Sequence, residues 1–198
     1  MTSARAIRRA RSVRVVSEAV ADLVAQAAVG TGDTDRPRRR RRRATYLRLH
    51  GIRHLLAGYD LSTDRLYGPV KVRKTRTEFL AFCRYLRSLH PPGVRIAIVL
   101  DNFGPHLSTK TDHRVGEWAA ANNVELAYVP LYGSWLNRIE AQFTALRYFA
   151  LNGTDHASHR EQASMIRRYI AWRNRHATDP GLRKVIRRAE TIKRAKVA

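Results

Sequence analysis

Acidic residues are scarce in this chain: 16 Asp and Glu stand against 38 Lys and Arg in 198 residues, a formal charge of +22, and 32 of the bases are arginine. Self-repulsion on that scale points to a polyanionic partner. Cysteine occurs once, at Cys83, which excludes an internal disulfide and any multi-cysteine zinc site. There is no run of 18 apolar residues and no apolar leader with a small-residue cleavage site, so neither a membrane span nor secretion is expected. The Arg-rich, Ser-containing start has the composition of an organellar transit peptide, but the whole chain is Arg-rich and the start is not exceptional within it. What is present is 44% apolar residues, enough for one domain with a genuine core. These features together describe a soluble, cytoplasmic protein with a nucleic-acid partner and no membrane partner.

Residues 1–43 differ from the rest. They are rich in Ala, Arg and Val and end in Arg38, Arg39, Arg40, Arg41, Arg42 and Arg43, behind the polar stretch Gly32-Asp33-Thr34-Asp35-Arg36-Pro37. They read as a basic appendage, poorly ordered or partly helical. The spacing of Val15, Val16, Ala19, Leu23 and Ala27 predicts an amphipathic helix within Arg11 to Ala28. Six adjacent arginines do not pack; they stay solvated or lie along phosphates.

Residues 44–198 carry regular signals. Ile52 to Asp60 and Leu66 to Val72 read as two strands joined by a polar hairpin loop. The capping box Thr75-Arg76-Thr77-Glu78 opens a helix with Phe79, Phe82, Cys83, Leu86 and Leu89 on one face. Ile96-Ala97-Ile98-Val99-Leu100 is apolar without alternation, as in a strand covered on both faces, and it stops at Asp101. A helix over about Lys110 to Asn122 and a second buried strand, Val124 to Val129, complete a strand-helix-strand unit of parallel type. A further helix begins near Ser134 with Leu136, Ile139, Phe143, Leu146 and Ala150 inward, and stops at Asn152-Gly153. Ser158-His159-Arg160-Glu161 caps the next helix, and Asp179-Pro180 opens a last basic one.

Two acids invite chemistry. Asp101 ends a buried strand, where the ligand crevice of an open α/β sheet lies, and Glu140 lies at the margin of a buried helical face, where it needs a partner or a cation. Carboxylate oxygens of this kind suit Mg²⁺ or Mn²⁺, and two such ions support phosphodiester cleavage. Taken alone, a strand-end Asp also serves as a plain loop or helix cap.

The words around the acids are more specific. Leu100-Asp101-Asn102-Phe103-Gly104-Pro105-His106, followed by Tyr128-Val129-Pro130-Leu131-Tyr132-Gly133-Ser134-Trp135-Leu136-Asn137-Arg138-Ile139-Glu140, resembles the second and third acidic motifs of bacterial insertion-sequence transposases in the mariner-related branch of the DDE superfamily. The resemblance extends over roughly Ala44 to Arg175. It implies an α/β, RNase H-like mixed sheet flanked by helices. It also implies DNA transposition by metal-dependent strand cleavage and transfer, with two Mg²⁺ or Mn²⁺ ions held by three acids. By motif, the second acid is Asp101 and the third Glu140. Its partners would be transposon ends and target DNA, in a homo-oligomer or paired with an intact transposase, near a bacterial nucleoid.

The first acid is not found. Relatives carry it in an Asp-Glu pair on a strand upstream of the Arg-rich segment, and residues 1–32 show neither that pair nor a convincing strand ending in Asp. Asp60 falls at a hairpin, and Asp33 and Asp35 lie in a polar stretch. The expectation is therefore an N-terminally incomplete domain lacking its first strand, with two of three acids and no activity of its own. The alternative is a non-catalytic basic protein that binds nucleic acid or intact transposase.

Other residues carry two readings each. His106 orients a phosphate or hydrogen-bonds within its loop. Asn137, three residues before Glu140, steadies that carboxylate, touches the DNA backbone or starts the helix. Trp135 stacks on an extruded base or packs in the core. Arg38 to Arg43, Arg73, Lys74, Arg76, Arg167, Arg168, Arg173 and Arg175 are candidates for phosphate contacts or solvated surface charges.

Overall fold

The computed structural model describes residues 13–24, 51–130, 138–152, 156 and 158–195. Within them the chain forms a mixed sheet with helices on both faces. The strands are β1 (Val13–Val24), β2 (Ile52–Asp60), β3 (Arg65–Tyr67), β4 (Val70–Lys71), β5 (Arg95–Leu100) and β6 (Val124–Tyr128), and the α-helices are α1 (Arg76–Ser88), α2 (Arg114–Ala121), α3 (Ile139–Leu146), α4 (His159–Arg175) and α5 (Pro180–Ala195). The strand order is β3-β2-β1-β5-β6, with β4 also on β2. β1 runs antiparallel to β2 and parallel to β5, which is parallel to β6.

This order corrects the sequence reading at its N-terminal end. Val13–Val24 is a strand, not part of a helix over residues 11–28, and the sheet does not lack its first strand: β1 lies at its centre. The helical spacing was real but weak, because a central strand covered on both faces needs no strict alternation. Pairing along both edges, over nine residues to β2 and five to β5, overrides the helix preference of its alanines.

The remaining elements follow the sequence signals. Thr75 Oγ1 accepts from the Glu78 amide at 3.4 Å and Ser158 Oγ from the Glu161 amide at 3.2 Å, so both residues cap their helices as expected. Pro180 opens α5, capped by Asp179 Oδ1, which accepts from the Leu182 amide at 2.8 Å. The expected strand Leu66 to Val72 is broken into β3 and β4 at Gly68-Pro69. A Cβ on Gly68 would stand 2.8 Å from Leu55 Cδ1 and 3.2 Å from the Leu56 carbonyl oxygen, so only glycine fits there.

Two apolar clusters sandwich the sheet. On one face Val16, Leu56, Ile96, Ile98 and Leu100 pack with Phe79, Phe82, Cys83 and Leu86 of α1 and Val115 and Ala119 of α2. On the other, Leu55, Ala57 and Leu66, with Ala21 partly buried beside them, pack with Ile139, Phe143 and Leu146 of α3 and Ile166 and Tyr169 of α4. Cys83 is a buried core residue, as expected. The fully buried Arg173 joins this second layer to the β2–β3 hairpin: it donates to Gln142 Oε1 at 3.1 Å and to the backbone and carboxylate oxygens of Asp64. It is therefore not a phosphate contact. Among the described residues no helix is long and apolar enough to cross a membrane.

Candidate functional site

β5 alternates through the sheet. Ile96, Ile98 and Leu100 enter the first cluster, and Asp101 follows directly on the last strand residue. Asp101 thus emerges at the carboxyl end of a central strand, where β5 and β6 diverge into loops. Its side chain is 45% exposed and takes a hydrogen bond from His106 Nδ1 at 2.8 Å and one from the Phe103 amide at 3.3 Å. Burial pushes its carboxyl up, but these bonds and the charge of His106 outweigh it and hold it below the ordinary carboxylate range.

The loop after Asp101 is held from three sides, which accounts for several residues of the motif. Asn102 Nδ2 donates to the Val129 carbonyl at 2.8 Å, tying the ends of β5 and β6 together. His106 is fully buried between Phe79 and Phe103, with ring centroids 4.4 and 5.3 Å away, and its carbonyl accepts from the Tyr128 hydroxyl at 2.8 Å. Arg76 donates to the Gly104 and Leu107 carbonyls at 3.2 and 2.9 Å and pairs with Asp112 at 2.5 Å. The structure therefore gives Arg76 a loop-holding position. Asn102, Tyr128 and this use of Arg76 had no sequence signal beyond the motif itself. Lys74 lies over the Phe103 ring, 5.3 Å from its centroid, on the same loop.

Glu140 stands in the first turn of α3, half-buried, beside Ile139, which is fully buried on the sheet. Glu140 therefore sits on the helix layer that packs with Leu55, Ala57 and Leu66. Arg38 to Arg43, Asp33, Asp35, Trp135 and Asn137 lie outside the described residues. Asp60 is fully engaged at the other end of the sheet. Its Oδ1 accepts from the Ser62 amide and hydroxyl at 2.8 and 2.5 Å, and its Oδ2 from the Thr63 hydroxyl at 2.8 Å.

β1 pairs with β5 as far as Ser17 opposite Val99, two residues before Asp101. Asp101 and Glu140 are hard oxygen donors of the kind that Mg²⁺ and Mn²⁺ take. Among the described residues, however, no three His, Cys, Asp or Glu side chains gather as a metal-holding group.

Solved structures share this fold. The Mos1 strand transfer complex superposes with a TM-score of 0.61 at 16% identity over 94% of this chain and 57% of that one. The Mos1 mariner paired end complex with Mn gives 0.62 at 16% over 94% and 56%, and the Mos1 transposase paired-end complex with left transposon end 0.61 at 15% over 94% and 58%. The chain thus spans little more than half the length of these proteins, and what it shares with them is an RNase H-like fold. No curated protein matches it in sequence. The sequence model of the DDE superfamily endonucleases matches residues 27–163, well over half of the chain and including both Asp101 and Glu140, and the chain therefore belongs to the DDE superfamily endonuclease family.

Proposed function

We propose that this chain is a DNA-binding transposase domain of the DDE type whose acidic centre is incomplete, with Asp101 and Glu140 as the retained metal-binding carboxylates. In such a reaction divalent ions activate the attacking oxygen and stabilise the leaving one, and the matched Mos1 proteins are described as transposon-end complexes, one of them with Mn. The carrying observation is the match of the DDE endonuclease model over residues 27–163, with Asp101 held at the carboxyl end of β5 by His106 and the Phe103 amide. The central strand β1 beside β5 is present. What this chain's own residues supply is then positioning: Asn102, His106 and Arg76 hold the Asp101 loop, while Lys74 and Arg38 to Arg43 give a cationic approach for DNA. Strand cleavage and transfer would require pairing with an intact transposase.

The test is nicking of supercoiled plasmid at low salt with Mn²⁺, run with a gel-shift assay and with Asp101→Ala and Glu140→Ala. The expected result is retention of DNA by all three proteins and no nicking by any. Nicking by the unmodified chain that both substitutions abolish would show a complete centre and overturn the reading; absence of DNA retention would overturn its other half.

A further inference from the structure

After α3 the chain widens into a single π-helical turn, Arg147–Leu151, closed by the Asn152 amide donating to the Arg147 carbonyl at 2.7 Å. Single π turns inside helices are rare and tend to occur at functional sites. This one carries large rings outward: Tyr148 is 62% and Phe149 40% exposed, with centroids 4.9 Å apart, and Phe149 lies 5.7 Å from Trp172 of α4. Between them is a cavity of about 250 Å³ lined by Phe149, Ala150, Met165, Arg168, Tyr169 and Trp172. Tyr169 is 6% exposed, and its phenol oxygen has no hydrogen-bond partner among the described residues. A buried, unsatisfied hydroxyl is costly, and the residue that carries it lines the cavity.

The charges around the cavity indicate which ligand. Arg147, Arg168 and Arg175 are exposed on the two segments, and no Asp or Glu occurs from Gln162 to Thr178 or from Ala141 to Thr154. A second copy of the chain, itself at +22, would be repelled. A polyanion carrying flat apolar rings is complementary. We propose that the pocket between the π turn and α4 takes an unpaired nucleobase of single-stranded DNA, stacked against Phe149 and Trp172, with the adjoining phosphate on Arg168. The proposal rests on the DNA-binding reading above, and it adds a second contact region beyond the Asp101 loop. Sequence-tolerant stacking of this kind contributes about 1–3 kcal/mol per base.

The experiment compares, by fluorescence anisotropy with the whole chain, a labelled oligothymidine strand, an abasic strand of equal length and a duplex. The thymidine strand is expected to bind about 5- to 150-fold more tightly than the abasic one. Phe149→Ala and Tyr148→Ala, both at exposed rings that leave the core intact, are expected to narrow that gap and leave duplex binding unchanged. Equal binding of thymidine and abasic strands with duplex binding intact overturns the pocket and leaves the DNA reading standing. Loss of all binding at low salt overturns both. A concentration-dependent dimer that Phe149→Ala dissolves would identify the patch as a self-contact and also overturn the proposal.

Discussion

Asp60 lies at the end of β2 with 1% of its surface exposed, and it is charged there because donors converge on it: the Ser62 amide and hydroxyl, and the Thr63 amide and hydroxyl. Burial alone would raise its carboxyl, but these hydrogen bonds outweigh burial and hold it below the ordinary range. Nearby His90, at 3.9 Å, has its own pKa lowered, first by its burial, and so adds little positive charge at neutral pH. The folded pKa of Asp60 being depressed, its contribution to stability is complete above the unfolded value of about 3.9 and is lost as pH falls through the folded value. Asp60→Asn is expected to cost about 2 kcal/mol at pH 7, roughly 4–8 °C in Tm, and to flatten the acid limb of the stability curve below about pH 4. Thermal melts from neutral to acid pH check this, and acid limbs that run parallel in the two proteins would overturn it. The same residue shows why a strand-end acid is ambiguous in sequence: Asp60 and Asp101 both end strands, and only the partners tell a hairpin cap from a candidate ligand.

At the scale of elements, what was legible depended on how local the cause was. The caps at Thr75, Ser158 and Asp179 and the buried run of β5 are written in a few adjacent residues, and they form as read. The Asp101 motif placed its loop correctly, although the reasons for Asn102 and His106 needed the facing end of β6 and the α1 ring Phe79 to be in view. β1 was misread because its cause is not local: Val15, Val16, Ala19 and Leu23 satisfy a helical spacing, and only β2 and β5, met far along the chain, make them a strand. Once β1 is in place it yields a directed test. Ala19→Asp adds a carboxylate on β1 two residues past its last pair with β5, Ser17 with Val99. Without metal an added negative charge near Asp101 is expected to lower stability through repulsion; with Mn²⁺ it is expected to strengthen the metal site of Asp101 and Glu140. Calorimetric titration should then show Mn²⁺ binding tighter than that of the unmodified chain and weakened by a further Asp101→Ala, with Mn²⁺ raising the Tm of the substituted protein. Binding no tighter in Ala19→Asp would mean that position 19 does not approach Asp101 in solution.

Among the described residues, five acids pair with neighbouring Lys or Arg. Glu78 pairs with Lys71, Asp112 with Arg76 and Arg114, Glu125 with Arg95, Glu190 with Arg138 and Asp64 with Arg173. These pairs hold elements together and leave the excess of positive charge uncompensated, so the molecule's field is set by arginines that face no carboxylate. Phosphates are the partner that such a field selects, and each one neutralised releases counterions, so that log K falls with log salt by about 0.9 for every phosphate contact on duplex DNA. If Arg38 to Arg43 all lie on phosphates, replacing the six by glutamine should reduce that slope by about 5. The remaining basic surface should keep measurable binding at low salt, and the folded core should melt at an unchanged temperature. Anisotropy titrations of one duplex at several salt concentrations measure the slope directly. A slope that does not change would place the six arginines off the DNA and assign the binding to the folded face around Lys74 and the Asp101 loop.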